Sequence, residues 1–360
     1  MRMKVILFVA LAAMSGVASA EPYLAVFKGM KCSSCHSHPS GGGKRIVYGN
    51  VFAQTELAAR RLGDSSAKLW TGEVASWLSV GANLRGGYES VDIPGSASES
   101  DFDVTRATVY LEASLIPNRV SIYLDEKIAP DDVDNRELYL KLKMPGTRFF
   151  VAAGQFFLPY GLRLQDDSAF IRQATGVNFI LPDRGIQAGY ESGPWSTQLS
   201  VTNGTGSGSV LESADRVSFI AQHVKPRWRA GVSFNSTDSA GGDRQMANVF
   251  VGLKTGSIAW LGEVDLISDE VPGASSIDAI AGFIEGNWIY RRGHNLKVSY
   301  EYLDPNSDIS EDQQLRWSVL WEYTPAQFVQ ARFGARFYDG IPQVPSQDRN
   351  EYFVELHAFF

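Results

Sequence analysis

Arg106-Ala107-Thr108-Val109-Tyr110-Leu111-Glu112-Ala113-Ser114-Leu115 alternates without a break: Ala107, Val109, Leu111, Ala113 and Leu115 share one parity, and Arg106, Thr108, Tyr110, Glu112 and Ser114 share the other. Successive side chains of an extended chain point to opposite faces, so this stretch is a strand with one face in an apolar medium and one in water. The period holds on both sides of it. Leu78, Val80, Ala82, Leu84 and Tyr88 oppose Ser79, Gly81, Asn83, Arg85 and Glu89, and Leu138, Leu140, Leu142 and Met144 oppose Glu137, Tyr139, Lys141 and Lys143. From about residue 73 onward the period is two.

Soluble sandwiches alternate in the same way, so the connections decide. Short ones fall at Pro117-Asn118, Pro145-Gly146, Gly193-Pro194, Lys225-Pro226, Thr255-Gly256, residues 291–294 and Thr324-Pro325-Ala326. Between them come polar stretches near 89–102, 127–135, 159–184, 203–214, 236–244, 268–276, 304–312 and 339–349. Tight turns alternating with long loops predict an all-β fold, a transmembrane outer-membrane β-barrel of about sixteen antiparallel strands with its short turns at the periplasmic end. A sandwich has no reason to sort its loops by length. Closure is a physical requirement, because lipid offers no hydrogen bonds to a free sheet edge. Tyr190, Trp195, Trp228, Trp260, Trp288, Tyr290 and Tyr323 gather near the expected strand ends, as interfacial girdles require. The last strand puts Tyr352, Val354, Leu356, Ala358 and Phe360 on one parity. A terminal strand finishing in Phe resembles those of bacterial outer-membrane barrels.

The inward parity carries Arg85, Arg106, Glu112, Lys127, Lys141, Lys143, Arg216, Arg227, Arg229, Glu263, Lys297, Arg316, Glu322 and Glu355. The signs are mixed, and a strongly anion-selective pore would want a ladder of one sign.

Composition agrees with this reading. At 44% apolar and 12% aromatic the chain of 360 residues is not disordered, and 34 glycines without a G-X-Y period exclude collagen. Two cysteines cannot build a disulfide scaffold. A net charge of -7 argues against a nucleic-acid binder. Arg2 and Lys4, an apolar run over residues 5–14 and Ala18-Ser19-Ala20 read as a secretory signal covering residues 1–20. That run is too short for a transmembrane helix, and no other stretch is long and apolar enough for one.

Both cysteines fall in Cys32-Ser33-Ser34-Cys35-His36, the C-x-x-C-H pattern of c-type haem attachment. Two thiols add to the two vinyl groups of haem, and the adjacent histidine is then held under the iron. Three other readings stay open: a structural disulfide, a thioredoxin-like redox pair, and half of a zinc site with His36 and His38. Met30 and His38 lie too near the motif to swing to the far face of a haem, which leaves Met144, Met246, His223, His294 and His357 as candidates for a second axial ligand. Of these, His357 and Met246 have lumenal parity. Residues 21–72 make a small unit, with a flexible turn at Ser40-Gly41-Gly42-Gly43, a helix expected over residues 51–62 and a closing turn at 63–66. About fifty residues bury little core unaided, so covalent haem or a protein wall would have to supply apolar contact.

Gly154-Gln155-Phe156-Phe157-Leu158-Pro159-Tyr160-Gly161 resembles the phosphate-selective type of porin, and residues 185–190 followed by 195–204 fit its next hairpin. Cys32-Ser33-Ser34-Cys35-His36, followed by Tyr48-Gly49-Asn50-Val51-Phe52, resembles the monohaem segment of the fused cytochrome c–porin family. Those proteins are associated with extracellular electron transfer, best known in iron-oxidising bacteria. The resemblance implies a signal peptide over 1–20, a monohaem segment over 21–72 and an outer-membrane barrel over 73–360. It makes Cys32 and Cys35 the thioether anchors of one covalent haem c and His36 the ligand to its iron. Its expected partners are outer-membrane lipid, a periplasmic cytochrome or other redox protein, and an extracellular electron donor or acceptor, with no nucleic acid. The implied role is electron transfer rather than turnover, extracellular metal oxidation being the one enzymatic activity it would allow. A diffusion porin for anions or small solutes with a non-haem plug, and a barrel docking a separate multihaem cytochrome, are the alternatives. Asp131-Asp132 and Asp166-Asp167 fall in expected outer loops and read as solvated loop charges.

Overall fold

Backbone pairing joins the alternating segments into a ring. In this computed structural model, which describes residues 21–63, 67–177, 182–204, 215–270, 272–273 and 275–360, a three-residue strand β1 (Glu73–Ala75) leads into β2 (Leu78–Asp92) and β3 (Glu99–Ile116). The expected signal segment lies outside the described residues. Next come β4 (Val120–Ala129), β5 (Asp134–Lys143), β6 (Phe149–Phe156), β7 (Asp183–Ser192), β8 (Trp195–Thr202), β9 (Asp215–Val224) and β10 (Trp228–Asp238). The series ends with β11 (Asp243–Thr255), β12 (Ile258–Glu270), β13 (Ile277–Arg291), β14 (His294–Asp304), β15 (Gln314–Ala326), β16 (Val329–Asp339) and β17 (Asn350–Phe359). From β2 on, each strand pairs antiparallel with its neighbour in sequence, and β17 returns to β2 with a register running from Asn350↔Asp92 to Phe359↔Asn83. The result is a closed barrel of 16 antiparallel strands.

Its polarity is inverted relative to a soluble protein. Outward-facing Val249, Val264 and Leu266 are 57%, 52% and 56% exposed, while inward-facing Ser218, Asp265 and Asn287 are fully buried. Apolar side chains around the outside and polar ones within are what a sheet immersed in lipid needs. The alternation of residues 106–115 therefore has its apolar face on the outside of the ring.

The lumen is filled from both ends. Three short helical pieces precede the barrel: helix α1 (Pro22–Lys28), a 3₁₀ turn at Cys32–Ser34 and helix α2 (Val47–Phe52), which runs into a π-type turn at Ala53–Leu57. The connection after β6 carries a third helix, α3 (Phe170–Thr175), and folds inward. Tyr23 and Val26 of α1 meet Leu162, Leu164 and Ile171 of that connection and Phe250, Leu261 and Phe283 of the wall in one buried cluster.

Several expectations need correction. The helix expected over residues 51–62 starts earlier, at Val47, widens into the π-type turn after Phe52 and ends at Leu57, where the backbone at Ala58 turns extended and Ala59 N–H donates to the Thr324 carbonyl at 2.8 Å. The expected turn at Thr324-Pro325-Ala326 belongs to β15, and the chain reverses at Gln327-Phe328. Some long connections are shorter than the polarity suggested, residues 239–242 being all that link β10 to β11, while those after β6, β8 and β14 keep the expected length. Beyond the apolar band both faces of a strand meet water, so alternation fades while the ladder of backbone hydrogen bonds continues. Arg227, read as inward, lies exposed in the β9–β10 turn, and Lys143 is exposed at the end of β5.

Candidate functional site

The segment before the barrel is short, and its turns are set by local chemistry. Proline opens α1, and Gly29 closes it in the left-handed region at φ 63, its N–H reaching back to the Val26 carbonyl at 3.1 Å. Glycine is required at Gly29 for a second reason: a Cβ there would lie 2.5 Å from Pro226 Cα in the β9–β10 turn. The C-x-x-C-H stretch then coils, with the Cys35 and His36 N–H groups both donating to the Cys32 carbonyl, at 3.1 and 3.0 Å. His36 pairs antiparallel with Arg45, and Ser37 N–H donates to the Lys44 carbonyl at 3.0 Å, so residues 36–45 form a small hairpin closed by three glycines of positive φ. A Cβ on Gly49 would sit 2.4 Å from the Cys35 carbonyl oxygen, which shows how closely α2 backs the motif.

Cys32, Cys35 and His36 converge on one cleft, whose other walls include Leu24, Met30, Tyr48, Phe52 and the guanidinium-bearing Arg45 and Arg163. Both cysteines are free thiols. Burial pushes the Cys35 thiol up to about 11, so at neutral pH it is a protonated thiol rather than a reactive thiolate. Burial, reinforced by the Arg45 charge, lowers His36 to about 3, leaving a neutral imidazole. Its Nδ1 is buried without a hydrogen-bond partner. Arg229 Nη2 lies 4.0 Å from Cys32 Sγ. The cleft holds about 60 Å³, room for a few waters at most.

Barrel-wall side chains seat this segment. Ser37 Oγ donates to Glu112 at 2.6 Å, Lys44 Nζ pairs with the same carboxylate at 3.1 Å, and Lys141 Nζ donates to the Ser37 carbonyl at 3.0 Å. Glu21 is held by Lys297 at 3.0 Å and Arg332 at 3.4 Å, and Tyr23 donates to Glu322 at 2.9 Å. The mixed signs of the inward face thus have a reason that the sequence did not reveal. Glu112, Lys141, Lys297 and Glu322 are sockets for the lumenal segment: Glu112 and Lys297 each take an opposite charge from it, Lys141 a backbone carbonyl and Glu322 a tyrosine hydroxyl.

The inward connection is anchored in the same way. Leu162 N–H donates to Glu263 at 2.6 Å and Phe170 N–H to Glu301 at 2.8 Å, while Asp166 is bonded by Arg316 at 2.8 Å and Arg336 at 3.2 Å. Asp166 and Asp167, read as solvated loop charges, are therefore ion-paired inside the lumen, Asp167 with Arg172 at 2.8 Å and with Arg106. A cavity of about 510 Å³ remains beside this connection, lined by Arg85, Arg106, Arg336, Glu89, Asp101 and Glu355 among others.

Of the remote ligand candidates, none lines the thiol cleft, whereas Met30, set aside on sequence spacing, does. His357 is buried on the lumen wall beside Gln330, and Met246 packs with Tyr160 and Ile267. His223 lies between Trp195 and Trp228, His294 stacks on Tyr323, and Met144 is exposed in a short turn. His38 is fully buried away from the cleft, against Tyr139 and Glu137. Among the described residues no group of three or more His, Cys, Asp or Glu is placed to hold a metal ion.

No protein-family model and no curated protein matches the chain. Solved structures do. The anion-selective porin from Comamonas acidovorans superposes with a TM-score of 0.64 at 9% identity, over 79% of this chain and 99% of its own. OmpT of Vibrio cholerae gives 0.60 at 12% identity, covering 80% and 99%, and Pseudomonas putida OprB gives 0.60 at 8%, covering 79% and 94%. The likeness is one of fold: this is a porin-like barrel.

Proposed function

We propose that the chain is an outer-membrane electron-transfer protein in which one haem c is carried by residues 21–72 within the short-turn end of the barrel, that end facing the periplasm. The observation that carries this reading is the convergence of Cys32, Cys35 and His36 on a single apolar cleft inside a lumen whose charged wall is matched to the segment bearing them. The donor set fits a porphyrin attached through two thioethers: two free thiols, a neutral imidazole with a buried unpartnered nitrogen, apolar walls and two guanidinium groups suited to a pair of carboxylates.

When bound, haem iron supplies one-electron redox chemistry across a membrane that otherwise insulates. The chain's own residues do the rest. Cys32 and Cys35 fix the group's position, and His36 offers its neutral ring to the iron. Leu24, Met30 and Phe52 exclude water from one side. The cluster of Tyr23, Val26, Leu162 and Leu164 keeps the passage beside it from being an open pore.

The absorption spectrum of the purified chain, made in cells equipped for c-type haem attachment, tests this. Sharp reduced bands are expected, and Cys32→Ala/Cys35→Ala is expected to remove them while the barrel persists. A colourless wild-type chain would overturn the reading. It would leave the second one, a diffusion porin plugged by residues 21–72, which the porin-like fold and the 510 Å³ ionic cavity favour. Steady single-channel steps in planar bilayers are its signature.

A further inference from the structure

The two ends of the barrel carry opposite charge. At the short turns Arg119, Arg148, Lys225, Arg227 and Arg291 are exposed; of the carboxylates at this end Glu191 is taken up by Lys31 at 2.6 Å, Glu56 in the mouth is paired with Lys28, and Glu73 is exposed, so cations predominate. At the long-loop end the exposed groups include Glu99, Asp101, Asp132, Asp134, Asp308 and Glu311. The net charge is negative, so the cationic end is a local concentration set against the whole.

We propose that the short-turn end is a docking surface for an acidic soluble protein. Resting on the redox reading above, that protein is the carrier that exchanges electrons with the haem segment. Charge complementarity of this kind steers encounter and selects partners by sign. The surface is also shaped for a protein. A recess of about 500 Å³ opens within it, walled by Phe27, Phe52, Leu57, Tyr290 and Arg291, and it shares Leu24, Lys28 and Phe52 with the thiol cleft. Phe27, Phe52 and Leu57 belong to the lumenal segment, inside the ring of strands, where lipid headgroups do not reach. A protein surface projecting into the mouth does reach them, and would stand one side chain's thickness from the cleft.

The test uses the full chain in discs of neutral lipid and two probes of similar size, an acidic and a basic soluble cytochrome c, with association followed by interferometry. The acidic probe is expected to bind at low salt, to weaken steeply as salt rises, and to bind Arg227→Glu/Arg291→Glu about tenfold or more weakly. The milder R227Q/R291Q should fall between, and D132K/D134K at the other end should change nothing. Equal binding of the basic probe, or an unchanged affinity in the charge-reversed variant, overturns the proposal. So does association that appears only in discs of anionic lipid, which makes the rim a headgroup contact. Binding is read without electron flow, so the two ideas fail separately. A colourless chain that binds keeps the docking surface and loses the haem, and a coloured chain that does not bind does the reverse.

Discussion

Arg163, from the connection after β6, places its guanidinium 3.3 Å from Nδ1 of His38 and 3.2 Å from the Gly41 carbonyl, so the filling from the long-loop end grips the filling from the short-turn end. The geometry assigns the ring's protons. Nδ1 also accepts the Ser40 N–H at 3.1 Å, so the neutral ring carries its hydrogen on Nε2, 3.5 Å from Glu137. Burial and the Arg163 charge hold His38 well below its ordinary range, consistent with that neutral form.

Replacing Arg163 by Ala removes charged hydrogen bonds from a buried junction. The expected loss is about 1.5–3 kcal/mol of local stability. It should appear as faster amide exchange over residues 157–177 and 36–43, with the strands unchanged. Equal exchange in wild type and variant would show that each filling holds itself.

Gly43 has φ +60, and a Cβ there would lie 2.2 Å from the Tyr123 hydroxyl oxygen, the acceptor of the Lys44 N–H at 3.0 Å. Gly43→Ala therefore meets backbone strain of about 1–2 kcal/mol together with a collision. Loosened seating, read as increased ion leak in planar bilayers, is the expected outcome. Adding Tyr123→Phe should recover part of it, because the colliding oxygen goes while the strained backbone stays.

The pH dependence of the inward connection follows from Asp166. Burial works to raise its pKa, but Arg316 and Arg336, with the Ser168 hydroxyl and N–H, override it and hold the carboxyl well below the usual carboxylate range. A depressed folded-state pKa contributes stability that is complete above the unfolded value, about 3.9, and is lost as pH falls toward the folded one. Asp166→Asn should thus lower the urea midpoint by a constant amount from pH 8 to about 5, with the gap closing in stronger acid. A gap that ignores pH would mean the side chain acts through packing.

On the outer surface, Val264 faces outward near the middle of β12. Val264→Arg puts a cation against hydrocarbon and should cost about 2–4 kcal/mol of barrel stability in vesicles, whereas the same change near a strand end should cost about 0–1. A depth-independent cost would count against immersion in lipid.

The sequence made the wall legible because parity is local: residues 106–115 state which side chains face out, and turn lengths sort the ends. The lumen was not legible in this way. The connection over 159–184 reads as a long outer loop, yet it folds inward because Glu263 receives Leu162 and Glu301 receives Phe170, partners more than 100 positions away in the chain. Nothing near Asp166 in sequence foretells Arg316 and Arg336. The Cys and His positions stood out by motif, but Met30 at the cleft and the sockets for Lys44 and Glu21 emerged only once the ring had closed.

The seam has a consequence for assembly. β17 and β2 meet there, and the tether from the lumenal segment is stitched to both edges: Gly72 accepts the Val80 N–H at 2.8 Å, Trp70 sets its ring edge-on to Phe360, and Ala53 packs on Phe359. Zipping the cylinder and seating its stopper are therefore one event. A hoop transplanted without residues 50–72 would be frayed along that join, so these two halves of the polypeptide are not interchangeable parts.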